Sequence, residues 1–383
     1  MKMNNEFLLK SYQKVFSRPQ YSHFKAFIRG LTSCEVPTIS RMSKLHTRDR
    51  SSMNRFLTES PWELNELKSV YDKQIKAFIL KGSTLLIDDT NSKRPYAKKV
   101  EKVNYHYDHT SGKDVLGYCL VTSTISSGGY TLPHNIVPYY RQIDCDDRKF
   151  MTKNDIAQEI IKSTKDNPNI TEVIFDSWYS NDQVIGACKK AKKKYITQIK
   201  SNRNVTINQH KNAVRAFVKN IDNKDWVLTV YLNTTFRYFS TSAFISKIRS
   251  VHLIFCQKYD DVNEEWGDTH YLISNLFHIP SNIVLHRYLN RVGIESFHRD
   301  AKQNLGLEGY FLRNNRGIER YLFLVMFAYG FLAMLNMINN SNLTIGELCE
   351  EQKIIVYKQT YKKIKKNPEL EDALIRALAK ARV

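Results

Sequence analysis

Four polar residues in the run from His286 to Gly309 stand at spacings that a helix would turn into a single surface. Tyr288, Arg291, Glu295 and Lys302 are separated by steps of three, four and seven residues. At about 100° per helical residue they fall inside an arc of roughly 60°. One face of one expected helix would then carry a phenol, two cations and a carboxylate. A carboxylate so placed can hold a hard metal ion, and its cationic neighbours can hold phosphate. The competing reading is a solvated charged face. Against it, Leu285, Leu289, Val292, Ile294 and Phe297 take up much of the remaining circumference. The helix is therefore expected to be packed on most sides, with its polar stripe turned toward something specific.

The spacing Y-x2-R-x3-E-x6-K, met in full by these four residues, resembles the signature of bacterial insertion-sequence transposases of the DDE type. The resemblance covers about residues 80 to 338 well and the two ends loosely. It implies that Glu295 is the third catalytic carboxylate, and that Tyr288, Arg291 and Lys302 contact DNA phosphates near the cleaved end. It also implies two aspartates upstream on strands, and a β-rich insertion between the second of them and the glutamate.

The elements needed to position such residues can be read along the chain. Residues 1–75 read as short helices rich in cations and aromatics. Pro37-Thr38-Ile39-Ser40 opens one helix, His46-Thr47 could turn, and Arg48 to Leu57 could form a second helix bearing Arg48, Arg50 and Arg55. That outline suits a helix-turn-helix on DNA, and ordinary helical packing with a basic face fits it equally well. From Lys81 the pattern changes to strands. Ser83 to Ile87 is an apolar run ending in Asp88-Asp89-Thr90, as a buried central strand would. Antiparallel partners follow up to Tyr140, then a helix from Thr152, a strand from Glu172 to Phe175 ending at Asp176, a helix from Asp182 and a strand from Tyr195.

This order predicts an α/β fold: a ribonuclease H-like mixed sheet flanked by helices, interrupted by a β-rich insertion and preceded by a helical N-terminal region. The expected division is 1–75 helical and DNA-binding, 76–202 first part of the core, 203–281 insertion, 282–338 second part with the glutamate helix, and 339–383 a basic helical end. The stretch from Asp176 to Glu295 is far too long for a loop, so an inserted subdomain is the economical reading. Tyr321 to Leu335, which falls short of about 18 apolar residues, reads as a buried helix and not as a membrane span.

Cleaving a phosphodiester needs a nucleophile and neutralisation of charge on the leaving oxygen, and two divalent cations can supply both. Mg²⁺, with Mn²⁺ as a substitute, prefers a few carboxylate oxygens. Asp89, Asp176 and Glu295 meet that need from two strand ends and a helix. Asp88 competes with Asp89 for the first place, because strand alternation sends the two to opposite faces. The D-T pair of the family aligns with Asp89-Thr90 and favours Asp89. Lys93, Arg94, Lys98, Lys99 and Lys102 could extend a phosphate track. Trp266 stands where related transposases that pass through a hairpin stack an extruded base, although a structural tryptophan in a small β core is the better fit. His106 and His109 lack companion ligands and read as surface or packing residues.

Charge and cysteine agree with this outline. With 58 Lys and Arg against 38 Asp and Glu, the net charge of +20 points to a polyanionic partner. The six cysteines show no C-x2-C pair, so neither a disulfide framework nor a zinc site is suggested. The N-terminal run lacks the apolar stretch of a signal peptide. The expectation is a cut-and-paste DNA transposase acting on double-stranded DNA as a homodimer, nucleoid-associated in a bacterial cytoplasm and bound to no membrane. Its rivals are a nuclease on the same fold that never joins DNA, and a transposase-derived DNA-binding protein that has lost catalysis.

Overall fold

Leu85, Leu86 and Ile87 are wholly shielded from solvent, as the apolar run of strand β1 (Ser83–Lys93) requires of a strand covered on both faces. The computed structural model describes residues 6–45, 48–108, 111–146 and 148–366. The His46-Thr47 turn, His109 and residues 367–383 of the basic C-terminal region lie outside the described residues. The strand does not end at Asp88-Asp89-Thr90 as its apolar run suggested. It continues to Lys93, because backbone pairing goes on where apolar side chains stop: just past the strand the Arg94 N–H donates to the Leu116 carbonyl at 2.7 Å.

The chain divides into two compact units. One comprises Met1–Ile79, Asp89–Phe150 and Glu295–Val383, and the other Leu80–Asp88 and Met151–Ile294.

In the first unit, α1 (Glu6–Lys10), α2 (Arg18–Ser33), α3 (Ile39–Leu45), α4 (Arg50–Thr58) and α5 (Leu64–Lys76) precede the strands β2 (Asn104–Asp108), β3 (Lys113–Ser127) and β4 (Tyr130–Pro138). These strands form an antiparallel meander, β2 on β3 and β3 on β4, turned at Gly128-Gly129. The two helices read from the N-terminal sequence are α3 and α4, the latter capped by Asp49, whose side chain accepts from the Ser52 N–H at 2.7 Å.

The second unit holds α6 (Lys153–Ser163), β5 (Ile170–Phe175), α7 (Asp182–Lys190) and β6 (Lys194–Gln198), then β7 (Asn204–Ile207), β8 (His210–Ala213), α8 (Val214–Phe217), β9 (Val227–Tyr231), β10 (Thr234–Ile245), β11 (Arg249–Asp260), β12 (Glu265–Trp266) and β13 (His270–Ser274), and finally α9 (Ser281–Leu289). The first part of β1 pairs in parallel with β5, Ile87 facing Phe175, and β5 pairs in parallel with β6. β13 then lies antiparallel on β6, and β11 and β10 follow. The β-rich stretch thus extends the parallel strands and is not a detached sheet. Parallel strands with flanking helices, an antiparallel meander and a long β insertion make a mixed α/β fold of the ribonuclease H-like kind. Helix α10 (Val292–Gln303) begins in the second unit and enters the first at Glu295.

Helices α11 (Asn315–Ile338) and α12 (Ile345–Lys366) complete the first unit. At 24 residues α11 is long and apolar enough to cross a membrane, more than its central apolar run suggested, and 89% of its most apolar stretch is buried. It packs on β4, α2, α4 and α5. Buried Arg320 caps the C-terminal end of α4, donating to the carbonyls of Leu57 at 2.9 Å, Ser60 at 3.0 Å and Trp62, while its guanidinium lies over the Trp62 ring. Burial, with Arg316 nearby, lowers its pKa to about 10. Helix α12 opens with a capping box, Thr344 N–H to Glu347 Oε2 at 2.7 Å and Glu347 N–H to Thr344 Oγ1 at 3.3 Å.

His134, buried in β4, accepts from the Asn135 amide at Nδ1, 2.8 Å away. Burial first, and the charge of Lys68 second, lower its pKa from 6.5 to about 3. The unfolded chain therefore takes up a proton that the fold refuses. This group's contribution to stability is present above about pH 6.5 and declines as the pH falls toward 3. The thermal unfolding midpoint of His134→Asn should consequently fall less than that of the wild type between neutral pH and about pH 4.5. Equal slopes would assign the acid sensitivity to other groups.

Candidate active site

The four signature residues do not share one helix. Helix α9 ends at Leu289, carrying Tyr288, and α10 starts at Val292, carrying Glu295 and Lys302, so Arg291 occupies the turn between them. The break comes from a tightened turn, the Arg291 N–H donating to the Tyr288 carbonyl and the Gly293 N–H to Asn290, with the Asn290 side chain accepting from the Tyr231 hydroxyl at 2.5 Å.

Within the second unit this turn is tied to β1. Arg291 donates to Asp88 at 2.5 Å, and both side chains are mostly buried, 19% and 14% exposed. Burial alone would lower the pKa of Arg291. The carboxylate of Asp88, with Tyr288 and Asp176 adding to it, outweighs burial and drives it upward. Tyr288 donates to Gln198 Oε1 at 3.1 Å, and burial pushes its phenol up to about 12 against the pull of Arg291. Four residues before Arg291, Arg287 pairs with Glu172 on β5. Beneath the polar residues lies a core of Leu86, Ile174, Ile196, Leu285 and Ile294.

Register explains why Asp88 and Asp176 feel the same guanidinium. They follow Ile87 and Phe175, the last paired residues of adjacent parallel strands. They therefore share a face, as Leu86 and Ile174 do two residues earlier. Asp176 then closes a turn, Oδ1 accepting from the Trp178 N–H at 3.0 Å, while its carbonyl accepts from Thr197 at 3.1 Å. The sequence reading passed over Trp178. It is 51% exposed, with Lys153 and Lys200 over its ring at 5.4 and 5.5 Å. An aromatic two residues past a strand-end aspartate was the available signal.

In the first unit Asp89 accepts from the Cys119 thiol at 3.4 Å. Glu295 is exposed in the first turn of α10. That helix is held by buried Phe297, edge-on to Tyr329 at 5.1 Å, and by His298 Nε2, 2.7 Å from Thr122 Oγ1. Lys302 is half-buried, and its pKa is lowered by burial against the pull of Glu308 and Asp108. Part of the expected basic track is engaged internally: Lys93 with Asp108 at 2.7 Å, Lys102 with Asp146 at 2.5 Å, and Arg94 stacked 3.3 Å over Tyr310. Lys98 and Lys99 are exposed.

In the second unit Trp266 is half-buried, edge-on to Tyr259 at 5.0 Å, and Arg237 lies between it and Trp226. Arg48 falls just outside α4, which starts two residues later than expected, and donates to Ser22, while Arg50 and Arg55 are exposed on α4. His106 lies edge-on to Tyr139, as a packing residue does. The carboxylates of Asp89, Asp176 and Glu295 are the oxygen donors that a hard divalent ion takes. Among the described residues no three His, Cys, Asp or Glu side chains are already gathered as a metal cage.

Comparison with known proteins agrees with the signature. A family model described as "DDE superfamily endonuclease" matches residues 12–215, a span that includes Asp89 and Asp176. A second, described as "archaeal putative transposase ISC1217", matches residues 136–346, which include Asp176 and Glu295. The chain belongs to the DDE superfamily of endonucleases, whose enzymes use divalent metal ions. It is also 28% identical over 208 residues to the "Probable transposase for insertion sequence element IS701" of Microchaete diplosiphon, which covers 51% of this chain and 53% of that protein. The chain thus spans about half the length of this curated relative.

Removing one partner of a buried ion pair leaves the other charge uncompensated, which costs about 3–5 kcal/mol, whereas replacing both by apolar residues is close to neutral. Arg291→Met, which leaves Asp88 and Asp176 without their shared cation, should lower the urea-unfolding free energy by an amount of that order. Adding Asp88→Leu to it should recover most of the loss. A double variant no more stable than Arg291→Met would show that the pair does not hold the turn.

Proposed function

We propose that this protein is a cut-and-paste DNA transposase that cleaves transposon ends and joins the freed 3′-hydroxyls to target DNA. The observation that carries the reading is the Arg291 to Asp88 contact. It fastens the signature turn to the strand bearing the aspartate pair, in a chain of the DDE superfamily. Asp89, Asp176 and Glu295 are the proposed ligands of Mg²⁺, for which Mn²⁺ can substitute. When bound, the ions activate the attacking oxygen and neutralise the leaving one.

The remaining roles belong to the chain's own residues. Asp88, engaged with Arg291, positions the turn, and Asp89 is the proposed first metal ligand. The register of β1 on β5 favours a second assignment, because it sets Asp88 level with Asp176. Lys302 serves the phosphates near the cleaved bond, while Arg291 and Tyr288, which the signature also offered as phosphate contacts, are engaged with Asp88 and Gln198 and set the turn; Arg50 and Arg55 add affinity for double-stranded DNA. The working form is a homodimer on DNA in the bacterial cytoplasm, at the nucleoid. Excision needs cuts at two ends that must be held together for joining, and a symmetric pair supplies two identical sites.

Metal ligands serve chemistry, whereas the basic surface serves affinity. Asp89→Ala, Asp176→Ala and Glu295→Ala should each abolish Mg²⁺-dependent nicking of end DNA while leaving gel-shift affinity nearly unchanged. Asp88→Ala should retain residual nicking. If Asp88→Ala is dead and Asp89→Ala active, the ligand is Asp88. Cleavage without strand-transfer products would leave a nuclease, and no cleavage by the wild type would leave a DNA-binding protein.

Paired action makes a separate prediction. A substrate with one end should be nicked at most, and a second end should restore double-strand breaks. Full cutting of an isolated end by a species with one chain per DNA would rule the dimer out.

A further inference from the structure

Within the first unit α12 lies against α2, and the seam between them is polar. Ser22, Lys25, Ala26 and Arg29 recur on α2 at the three- and four-residue steps that make one helical face. Val356, Gln359 and Thr360 do the same on α12. These two stripes line a pocket of about 190 Å³, to which Leu45 at the end of α3 and Arg48 just beyond it also contribute. Ala26 and Val356 are buried there, and every other side chain that the two helices bring to the pocket is polar.

Lys25, Arg29 and Arg48 line this pocket, and among the described residues no acid does. Elsewhere in the chain shielded cations meet carboxylates, as Arg291 meets Asp88 and Lys102 meets Asp146. Here Arg48 donates to the Ser22 hydroxyl, and Lys25 stands 4.9 Å over the Tyr21 ring. Both contacts are with neutral groups, which hold the side chains without cancelling their charge. Like charges gathered at a helix seam repel one another, and an anion set among them replaces repulsion by attraction.

Size and donors define that anion. The pocket is smaller than the about 300 Å³ at the lower end of small-ligand sites, so it admits a phosphate group and excludes a nucleoside. Guanidinium forks and an ammonium are the donors that phosphate takes, and the hydroxyls of Ser22 and Thr360 add neutral ones. The axes of packed helices lie about 8–10 Å apart, a gap that no duplex enters. We propose that this pocket is a binding site for free phosphate, held by Lys25, Arg29 and Arg48, and that the bound ion bridges α12 to α2. The site does not depend on the DNA-acting reading.

The test follows thermal unfolding of the full-length protein while sodium phosphate replaces sodium chloride at constant ionic strength. The wild-type midpoint should rise saturably, by about 2 °C at roughly ten times the dissociation constant, and backbone hydrogen exchange in α12 should slow. The double variant Lys25→Gln/Arg48→Gln should unfold in chloride no lower than the wild type, because a repulsion is relieved, and should lose both responses. Lys44→Gln, which removes an exposed cation of α3 outside the pocket, should keep both. A rise that does not saturate, or that the double variant shares, is the general stabilising effect of phosphate salts and would overturn the proposal. So would a wild type indifferent to phosphate whose double variant binds duplex DNA more weakly, since the pocket would then be a contact for the DNA backbone.

Discussion

The contact between Arg291 and Asp88 joins parts of the chain that nothing local would bring together. A guanidinium so shielded survives only with a carboxylate against it, and Asp176 and Tyr288 reinforce the same charge. The turn that breaks α9 from α10 follows from it. A continuous helix would carry Arg291 along the cylinder, whereas the tight turn lets it reach the aspartate. Burial around the pair is what gives the attraction its strength, since the same charges in water would be worth little.

Much of this fold could be read from the sequence because its strands are apolar runs and its helices carry local caps. The strand before Asp176, the capping box at Thr344 and the two helices around Asp49 all declare themselves within a few residues. What could not be read depends on distant partners. The break at Asn290 and Arg291 contains no proline, and it is set by Tyr231 and Asp88, far away in sequence. The continuation of β1 past Ile87 depends on β3, which lends a backbone partner where the apolar signal has ended. The contact of His298 with Thr122 was likewise invisible, although it helps hold the turn of α10 that carries Glu295, whereas the burial of Phe297 followed its place on the apolar face.

The excess of positive charge needs the same separation of local from long-range. Arg287, Arg291, Lys93 and Lys102 are committed to carboxylates, and Arg320 to backbone carbonyls. Counting such residues as DNA-binding surface would overstate it. Counting them as neutralised is right for the acids as well, which are spent in the same pairs. The net surplus therefore resides on side chains such as Arg50, Arg55, Lys98, Lys99 and Arg313, all exposed. Only charges of this kind can release counterions from a nucleic acid.

Two arginines of similar sequence context thus do opposite work, and burial decides which. Arg320, enclosed by α4 and α11, stabilises the fold by satisfying carbonyls at a helix end that would otherwise lose water without gaining a donor. Arg313, seven residues earlier, keeps its side chain exposed, while its backbone carbonyl accepts from the Glu101 N–H at 2.9 Å. Fixing the backbone while leaving the charge in water lets a side chain meet a phosphate without first breaking an internal contact.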